Sequence, residues 1–374
     1  MKIGTFDTTR INSRNGTNRR NACMIVAEIG TSHGGELDEA FRLIDAAAES
    51  GADCVKFQIV YADEILHPLT GKVRLPGGLV SLYDRFKALE RSPEFFAELK
   101  GYSEKKGLVF MCTPFGTSSA RILKDLGCTV IKIASPELNH FPLLQEVSRY
   151  GVSLILSTGV SKLSDIERAL EITGLNVMLL HCITQYPAPE EEYNLKIIPH
   201  LSTLTGVPVG LSDHSLDPCL VPVLAVSMGA PLIEKHLALS EKGRGLDDPI
   251  ALIPEQFSRM AQAVRKAESM GEREILDWMA DEYGRVRIER VLGTGRKELA
   301  PSERDNYGKS NRSIHAVARI EKGHAITEER VALLRSERNL RPGLAPQFLP
   351  DMIGRKAQRV IESGEGIQWN DILP

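Results

Sequence analysis

Two lysines lie inside apolar stretches of this sequence, where a charged side chain is costly to bury without an anionic partner. Lys56 belongs to GADCVKFQ (51–58), and Lys132 begins KIAS (132–135). Lysines and hydroxyl groups together supply the positive charge and the hydrogen bonds that bind a phosphate or a carboxylate. Hydroxyl residues occur toward the ends of three neighbouring stretches: Thr113, Ser135 and Ser157. One such lysine would more often belong to a structural ion pair, but two of them with these hydroxyls predict an anion-binding site.

Two histidines indicate a second kind of chemistry. His214 follows GLSD, and His236 ends IEKH; imidazole is a frequent ligand of Mn, Zn and Fe. Taken alone, the pair is a weak signal, because buried histidines are more often structural. With the acids Glu28 and Asp213 nearby in the same pattern, the pair predicts an open metal site that leaves positions for substrate and water. His181 ends another apolar stretch, and we interpret it as a hydrogen-bond donor or a packed residue rather than a third ligand.

These residues fall in a repeated pattern of a short apolar stretch, a polar turn and an amphipathic stretch. The apolar stretches are 24–30, 54–60, 109–115, 130–135, 153–159, 177–183, 207–214 and 232–239. Near-continuous apolar runs of this length are typical of strands buried on both faces. Eight strands alternating with helices over roughly 250 residues predict a (β/α)8 TIM barrel, whose C-terminal strand ends meet at one mouth. An open doubly wound sheet is the alternative, but no G-x-G-x-x-G follows the first stretch.

The length of 374 residues exceeds what one hydrophobic core usually organises, so we expect a large and a small domain. The predicted division is an N-terminal lead-in (1–22), the barrel domain (23–285), a linker (286–308) and a second domain (309–374). The long connection 61–92 is predicted to lie above the barrel mouth, since long loops in compact domains are usually functional. The lead-in carries Arg10, Arg14, Arg19 and Arg20, and we interpret it as a solvated strand rather than a transit peptide.

Composition excludes several classes of partner. Hydrophobic residues make up 42%, charged residues 25%, and the formal net charge is −3, which is ordinary for a soluble globular protein and gives no reason to expect nucleic acid or a membrane surface. No apolar run approaches the roughly 20 residues of a membrane helix. The six cysteines form no C-x-x-C pair, so we expect neither a zinc cluster nor a disulfide framework, and we expect a reducing, cytoplasmic location.

The motifs around these residues resemble those of the sialic acid synthase family, which includes N-acetylneuraminate, legionaminate and pseudaminate synthases and spore-coat polysaccharide homologues. The barrel motifs are AEIGTSHGG (27–35), GADCVKFQ (51–58), TPF (113–115), KIAS (132–135), LSTG (156–159), LHC (180–182), YPAP (186–189), GLSDHS (210–215) and IEKH (233–236). Three later motifs resemble the family's antifreeze-like (SAF, β-clip) domain: NRSIHA (311–316), EKGHAIT (321–327) and LRPGLAP (340–346). The resemblance runs from about residue 22 to the end.

The resemblance implies an enzyme, a transferase that condenses phosphoenolpyruvate with an open-chain N-acetylated amino sugar and releases phosphate. It implies a divalent metal, Mn2+ or Mg2+, on His214 and His236. The positions that hold the phosphate and carboxylate of phosphoenolpyruvate are matched by Lys56, Thr113, Lys132, Ser135 and Ser157. Those around the acceptor sugar are matched by Glu28, Gln58, Glu137, Tyr186 and Asp247. Arg341, in LRPG, matches an arginine that reaches into the barrel of the partner subunit, which implies a domain-swapped homodimer.

The acceptor sugar and the proton-transfer group stay open. Gly78 and Thr184 replace asparagines that are frequent in the family near the substrates, so N-acetylmannosamine and a 2,4-diacetamido hexose both remain candidates. Thr184 is counted among the substrate-binding residues, and Glu28 is the candidate for proton transfer. Two other functions compete with the synthase: a non-catalytic sugar-binding homologue, and another barrel carbon–carbon lyase, such as a Schiff-base aldolase that uses Lys132.

Overall fold

The computed structural model of the chain describes residues 2–3, 6–7, 23–75, 78–240, 245–337 and 339–373, with the side chains of 73–75 left aside. The four arginines of the predicted lead-in lie outside the described residues. Within the described part, no helix combines the length and the apolar character needed to cross a bilayer.

Eight parallel strands close into a barrel, which confirms the predicted TIM barrel. The strands are β1 (Met24–Gly30), β2 (Cys54–Ile59), β3 (Val109–Pro114), β4 (Val130–Ile133), β5 (Ser153–Ser157), β6 (Val177–Cys182), β7 (Val209–Asp213) and β8 (Leu232–His236). Strand β8 closes on β1 in a register that sets His236 beside Glu28. The predicted stretches ran past several strand ends because the loops that follow are also buried.

Helices cover the outside of the barrel. They are α1 (Leu37–Glu49), α2 (Ala62–Ile65), α3 (Leu82–Leu89), α4 (Pro93–Lys105), α5 (Thr117–Asp125), α6 (Phe141–Ser148), α7 (Leu163–Thr173), α8 (Ile197–Thr205), α9 (Leu220–Ser227), α10 (Pro254–Glu268), α11 (Glu272–Tyr283) and α12 (Arg285–Leu292). Every residue of α9 is buried, because α10 and α11 pack over it. The predicted linker (286–308) therefore begins inside α12, whose Ile288 and Val291 are buried against the barrel's helical layer.

The connection after β2 also has structure of its own. It contains α2, a short antiparallel hairpin of Lys72–Leu75 with Gly78–Ser81, and α3. The connection predicted as a long loop above the mouth therefore consists largely of helices and a β-hairpin.

The inside of the barrel changes from apolar to polar along its axis. Met24 and Val26 of β1 belong to an inner apolar cluster that Ile3 joins from below. Ile3 lies in a short hairpin of Lys2–Ile3 with Phe6–Asp7 and is buried, so the expectation of a solvated lead-in is wrong for this residue. Side chains alternate along a strand, so residues two and four positions beyond the cluster also point inward, at the mouth.

The C-terminal part folds around a separate core. Strands β9 (Arg312–Ala316) and β10 (Val331–Arg335) pair antiparallel, and the short helix α13 (Leu349–Met352) follows. Ile314, Ile320 and Ile326 are fully buried in its core. The predicted second domain is therefore present as a small fold that contacts the barrel through β9 and β10.

Candidate active site

The strand parity brings most of the predicted site residues together at the C-terminal mouth. We count in twos from the inner apolar cluster and, on β7, from Gly210, which faces Leu180 and Leu232 of that cluster. The inward-facing polar residues are then Glu28, Lys56, Gln58, Thr113, Lys132, Ser157, Ser212, His214, Glu234 and His236. All but Ser212 and Glu234 are residues that the sequence selected. The mouth is therefore lined by polar groups from seven of the eight strands and the turn after β7.

The two lysines share one carboxylate, that of Glu234. Lys56 Nζ lies 2.8 Å from Glu234 Oε1 and 3.3 Å from Glu28 Oε2. Lys132 Nζ lies 4.0 Å from the same Glu234 oxygen and donates to Ser157 Oγ at 2.6 Å. All four charged side chains are buried. The buried lysines thus have the anionic partners they require. The ion pair of Glu28 with Lys56 is one that a purely structural role of Glu28 would also produce.

Burial and charge oppose each other in this cluster. Burial raises the pKa of Glu28 to about 7, although Lys56 works in the other direction. Burial also raises the pKa of Glu234, but Lys132 and Lys56 outweigh it and bring that pKa down to about 2. Burial lowers the pKa of Lys132 to about 8 against the attraction of Glu234. At neutral pH, Glu28 is therefore the carboxyl of this cluster that gains or loses a proton most readily.

Hydroxyl groups at the mouth have unused hydrogen-bonding capacity. Among the described residues, Thr113 Oγ1 and Thr184 Oγ1 are buried without a hydrogen-bond partner. A buried polar group left unpaired costs about 1–3 kcal/mol, so these hydroxyls beside two lysines indicate the place of a polar ligand. Ser135 Oγ accepts the Gly159 N–H at 3.1 Å. A Cβ at Gly159 would clash with Thr184 Oγ1 and press on Ser135 Oγ, so these three residues lie against one another.

The two histidines and Tyr186 form an aromatic group at the same mouth. The Tyr186 ring stacks on His214 with ring centroids 4.2 Å apart, and the two imidazoles are 5.6 Å apart. His214 Nδ1 lies 2.8 Å from the Ile183 carbonyl oxygen. Because a carbonyl only accepts, Nδ1 carries the proton, and Nε2 is left as the coordinating atom.

The donor atoms of this pair are of a kind that binds divalent metals. Among the described residues, no group of three or more His, Cys, Asp or Glu side chains is arranged to hold a metal ion. A metal held by His214 and His236 would take its remaining ligands from solvent or substrate. Burial, and next the charge of His214, lower the pKa of His236 well below its usual value, so this ring is neutral as a ligand must be. Burial lowers the pKa of His214, but Cys182 outweighs it and raises that pKa to about 9, so a metal would displace a proton there.

Comparison with known proteins supplies the family. The model of the NeuB family matches residues 43–275, and that of the SAF domain matches residues 311–373. The chain belongs to the NeuB family. It is 36% identical to the spore coat polysaccharide biosynthesis protein SpsE of Bacillus subtilis, with 93% of each chain covered. It is 33% identical to the N,N'-diacetyllegionaminic acid synthase of Legionella pneumophila, with 94% of each covered.

A solved structure agrees with this NeuB-family fold over its full length. The crystal structure of B. subtilis SpsE superposes with a TM-score of 0.81 at 33% identity and covers 100% of this chain and 99% of that one. The fold is therefore a TIM barrel followed by a SAF domain, as the motifs predicted.

Glu137, just after β4, contacts the SAF domain of this NeuB-family chain. It is fully buried, and its carboxylate accepts from Arg312 Nε at 2.5 Å and from Arg335 Nε at 3.1 Å. Both arginines belong to the SAF domain, so the contacts of Glu137 are those of a domain interface, and its place beside the acceptor sugar stays a prediction. Its partner Arg312 lies far along the chain, so the sequence gave no sign of this pairing.

Three other residues have partners outside the mouth. Asp213 precedes His214, but its side chain faces outward and its carboxylate pairs with Lys235 at 2.6 Å. His181 also faces outward, with Nε2 2.5 Å from the Tyr193 carbonyl oxygen, as interpreted from the sequence. Arg341 pairs with Asp371 at 2.9 Å within the SAF domain of its own chain.

Asp247 stays close to the site. It precedes a short 3-10 turn after β8, and its charge contributes to the raised pKa of Glu28. Burial raises the pKa of Asp247 itself.

Glu234 lies at the end of the last predicted strand, but its role was not predicted from the sequence. It lies two positions before His236 in IEKH and therefore shares its inward face. The signal was available, because two buried lysines need more negative charge than Glu28 alone supplies.

Proposed function

We propose that this NeuB-family protein is a transferase that condenses phosphoenolpyruvate with an open-chain N-acetylated amino sugar and releases inorganic phosphate. The observation that carries the proposal is the pair of buried lysines on Glu234, next to hydroxyls without partners and within the same mouth as the histidine pair. The name of the Legionella relative, a synthase of a diacetylated sugar acid, supports the same reaction class.

The two lysines are the cations of the mouth that would meet a substrate with about three negative charges. With Glu28 and Glu234 ionised, the lysines and carboxylates cancel, and a divalent cation on the histidine pair would supply the net positive charge. Lys56 and Lys132 would hold the phosphate and carboxylate, and Thr113, Ser135 and Ser157 would donate hydrogen bonds to them. Binding in this way fixes the face of phosphoenolpyruvate that meets the sugar.

The reaction forms one carbon–carbon bond and one carbon–oxygen bond from water, and it breaks the carbon–oxygen bond between C2 and the phosphate. A divalent cation, Mn2+ or Mg2+, held by His214 and His236 would supply electrophilic activation of the aldehyde. Lys56 and Lys132 hold phosphoenolpyruvate so that its C3 bonds to the aldehyde carbon, whose oxygen takes up a proton and becomes a hydroxyl. Water forms a new bond to C2, and ionised Glu28 accepts one of its protons and passes it to the oxygen of the former aldehyde. The C2–O bond to phosphorus then breaks, phosphate leaves with the electron pair and the remaining hydroxyl proton, and C2 becomes a ketone.

Further parts of the proposal concern the acceptor, the assembly and the location. The acceptor is N-acetylmannosamine or a 2,4-diacetamido hexose, and Thr184, whose hydroxyl has no hydrogen-bond partner, would contact it. Insertion of Arg341 into a partner's barrel in a domain-swapped homodimer requires this residue to leave Asp371. The six cysteines are free and buried, which supports the expected cytoplasmic location.

The test is a direct assay. The purified protein is incubated with phosphoenolpyruvate, Mn2+ and a panel of N-acetylated aldoses, and released phosphate and 2-keto sugar acid are measured. We expect product with one sugar, loss of product on chelation and loss in His214→Ala. Absence of product with every sugar, from folded protein that has bound metal, would refute the synthase.

One observation favours a second candidate, a Schiff-base lyase. Burial lowers the pKa of Lys132 to about 8, which is what an amine nucleophile needs. Borohydride treatment with pyruvate would then attach a stable adduct to Lys132, whereas the condensation forms no bond to the protein.

A further inference from the structure

Val160 adopts a backbone conformation that its side chain disfavours. Its φ is 44°, and among the described non-glycine residues with positive φ it is the one with a β-branched side chain. Such a residue at positive φ is an outlier that persists only when its surroundings hold it in place. Val160 lies in the β5 loop (residues 157–161), directly after the LSTG motif.

Both polar groups of the Val160 backbone are held by the chain that leads out of the barrel. Its N–H donates to Glu303 Oε1 at 2.6 Å, and its carbonyl accepts from Asn311 Nδ2 at 3.2 Å. Lys297 Nζ donates to the neighbouring Thr158 carbonyl at 2.8 Å. Three residues of one connecting segment (residues 293–311) thus fix two carbonyls and one N–H of the β5 loop.

Glu303 joins two loops of the mouth. The same Oε1 that accepts from Val160 also accepts the Thr184 N–H at 2.7 Å, and Oε2 accepts the Ala300 N–H at 3.2 Å. The side chain is fully buried. Glu303 therefore ties the loop after β5 to the loop after β6 and to its own segment.

The β5 loop forms hydrogen bonds with the groups proposed to hold phosphoenolpyruvate. At one end, Ser157 Oγ accepts from Lys132 Nζ. In its middle, the Gly159 N–H donates to Ser135 Oγ. Relaxation of Val160 to negative φ would turn the adjoining peptide and move Gly159 away from Ser135, because the two residues are consecutive.

We propose that Glu303 is a positioning residue: it holds Val160 at positive φ and thereby sets the β5 loop that presents Ser157 and Gly159 to the anionic substrate. Glu303 does not touch that substrate; it acts through the loop. Because this role rests on the proposed function, its test needs a second readout that does not involve turnover.

Four variants separate positioning from simple stabilisation. Glu303→Ala removes the acceptor, and Glu303→Gln keeps a neutral one. Glu303→Ala combined with Val160→Gly removes the acceptor and also the strain, since glycine adopts positive φ freely. Asp305→Ala is the matched control, an exposed carboxylate in the same turn.

The first readout is the affinity for phosphoenolpyruvate by calorimetry, with circular dichroism to show that each variant is folded. We expect Glu303→Ala to raise Kd about tenfold, or about 1.4 kcal/mol, and Glu303→Gln to raise it about threefold. Addition of Val160→Gly should restore Kd to within about threefold of wild type, and Asp305→Ala should leave it unchanged. Wild-type affinity in Glu303→Ala, or no recovery in the folded double variant, would overturn the proposal. If Glu303→Ala does not fold, an unchanged Kd in Glu303→Gln overturns it.

The second readout is amide hydrogen exchange at Gly159, whose N–H makes no contact with Glu303. We expect faster exchange in Glu303→Ala and recovery when Val160→Gly is added; equal exchange in all variants would refute the loop role. A wild-type protein that binds no phosphoenolpyruvate would refute the proposed function, and Gly159 exchange would then decide the loop role by itself.

Discussion

Replacement of Glu234 by glutamine should destabilise the protein while making the mouth more attractive to anions. Lys56 and Lys132 both lie near Glu234 Oε1, so Glu234→Gln leaves Glu28 as the remaining carboxylate of the cluster. The pKa of Glu234 falls from 4.5 to about 2 in the folded protein. At about 1.4 kcal/mol per pKa unit, this favours the ionised form by about 3 kcal/mol. Loss of one partner from a buried ion pair costs about 3–5 kcal/mol.

The sign of the pH dependence follows from the direction of this shift. A carboxyl whose pKa is lowered by folding stabilises the protein above its unfolded-state pKa of 4.5, and that contribution disappears as the pH falls toward 2. Glu234 is ionised at both pH 5.5 and pH 8, so its own titration adds no difference between them, but Glu28, whose pKa Glu234 helps to raise, should make the deficit of Glu234→Gln smaller at pH 8 than at pH 5.5.

The assay is urea denaturation at these two pH values, with Glu171→Gln on the exposed face of α7 as the matched control. Inorganic phosphate should recover more stability in Glu234→Gln than in wild type, since the mouth has lost a negative charge. A loss of free energy of unfolding below about 1 kcal/mol, against the range of about 3–5 expected for a buried pair, would refute the shared-carboxylate reading. So would equal stabilisation of both proteins by phosphate.

Three further substitutions test other parts of the site. Folding raises the pKa of Glu28 from 4.5 to about 7, so its ionised form destabilises the protein above pH 7. By the same conversion, Glu28→Gln should be more stable than wild type by up to about 3 kcal/mol at pH 8 and equally stable near pH 4.5. A difference in the free energy of unfolding that stays constant with pH, measured by urea denaturation, would contradict this. Lys132→Met should weaken the binding of inorganic phosphate, measured by calorimetry, by about 30-fold or more, because loss of one charge from a buried pair costs about 2–5 kcal/mol. A Kd within threefold of wild type would exclude Lys132 from the anion site. Glu137→Gln removes the carboxylate that Arg312 and Arg335 share and should lower the stability of the docked SAF domain by about 3–5 kcal/mol. This loss should be seen as faster hydrogen exchange in β9. Unchanged exchange with a raised KM for the sugar would instead support the role first predicted from the sequence.

The barrel and most of its mouth could be predicted because period and parity are local properties of the sequence. Lys56 and Lys132 stand out as charges within apolar runs, and strand parity then places them in one mouth. Glu234 faces inward by the same parity as His236. It was given no role because the two lysines were not expected to need a second carboxylate.

The remaining differences come from contacts between distant parts of the chain. Glu137 has the right position in KIASPE for a mouth residue, but Arg312 lies 175 residues further along and takes its carboxylate. Ile3 and Glu303 likewise fill places that local patterns do not mark, one below the barrel and one behind the β5 loop. Tertiary pairing decides these residues, and a single sequence carries no record of it.

The SAF domain and the segment before it contact the loops that follow five strands of the barrel. Arg312 donates to Glu137 after β4, to the Phe115 carbonyl after β3 at 2.7 Å and to the Glu64 carbonyl after β2. Glu303, just before that domain, holds the loops after β5 and β6. A ligand that favours the ordered mouth must favour the docked domain by the same free energy, because coupling between two sites is reciprocal. In the proposed function, the C-terminal domain and the segment before it would therefore support the anion site through the loops that they contact, even where their side chains do not reach the lysines.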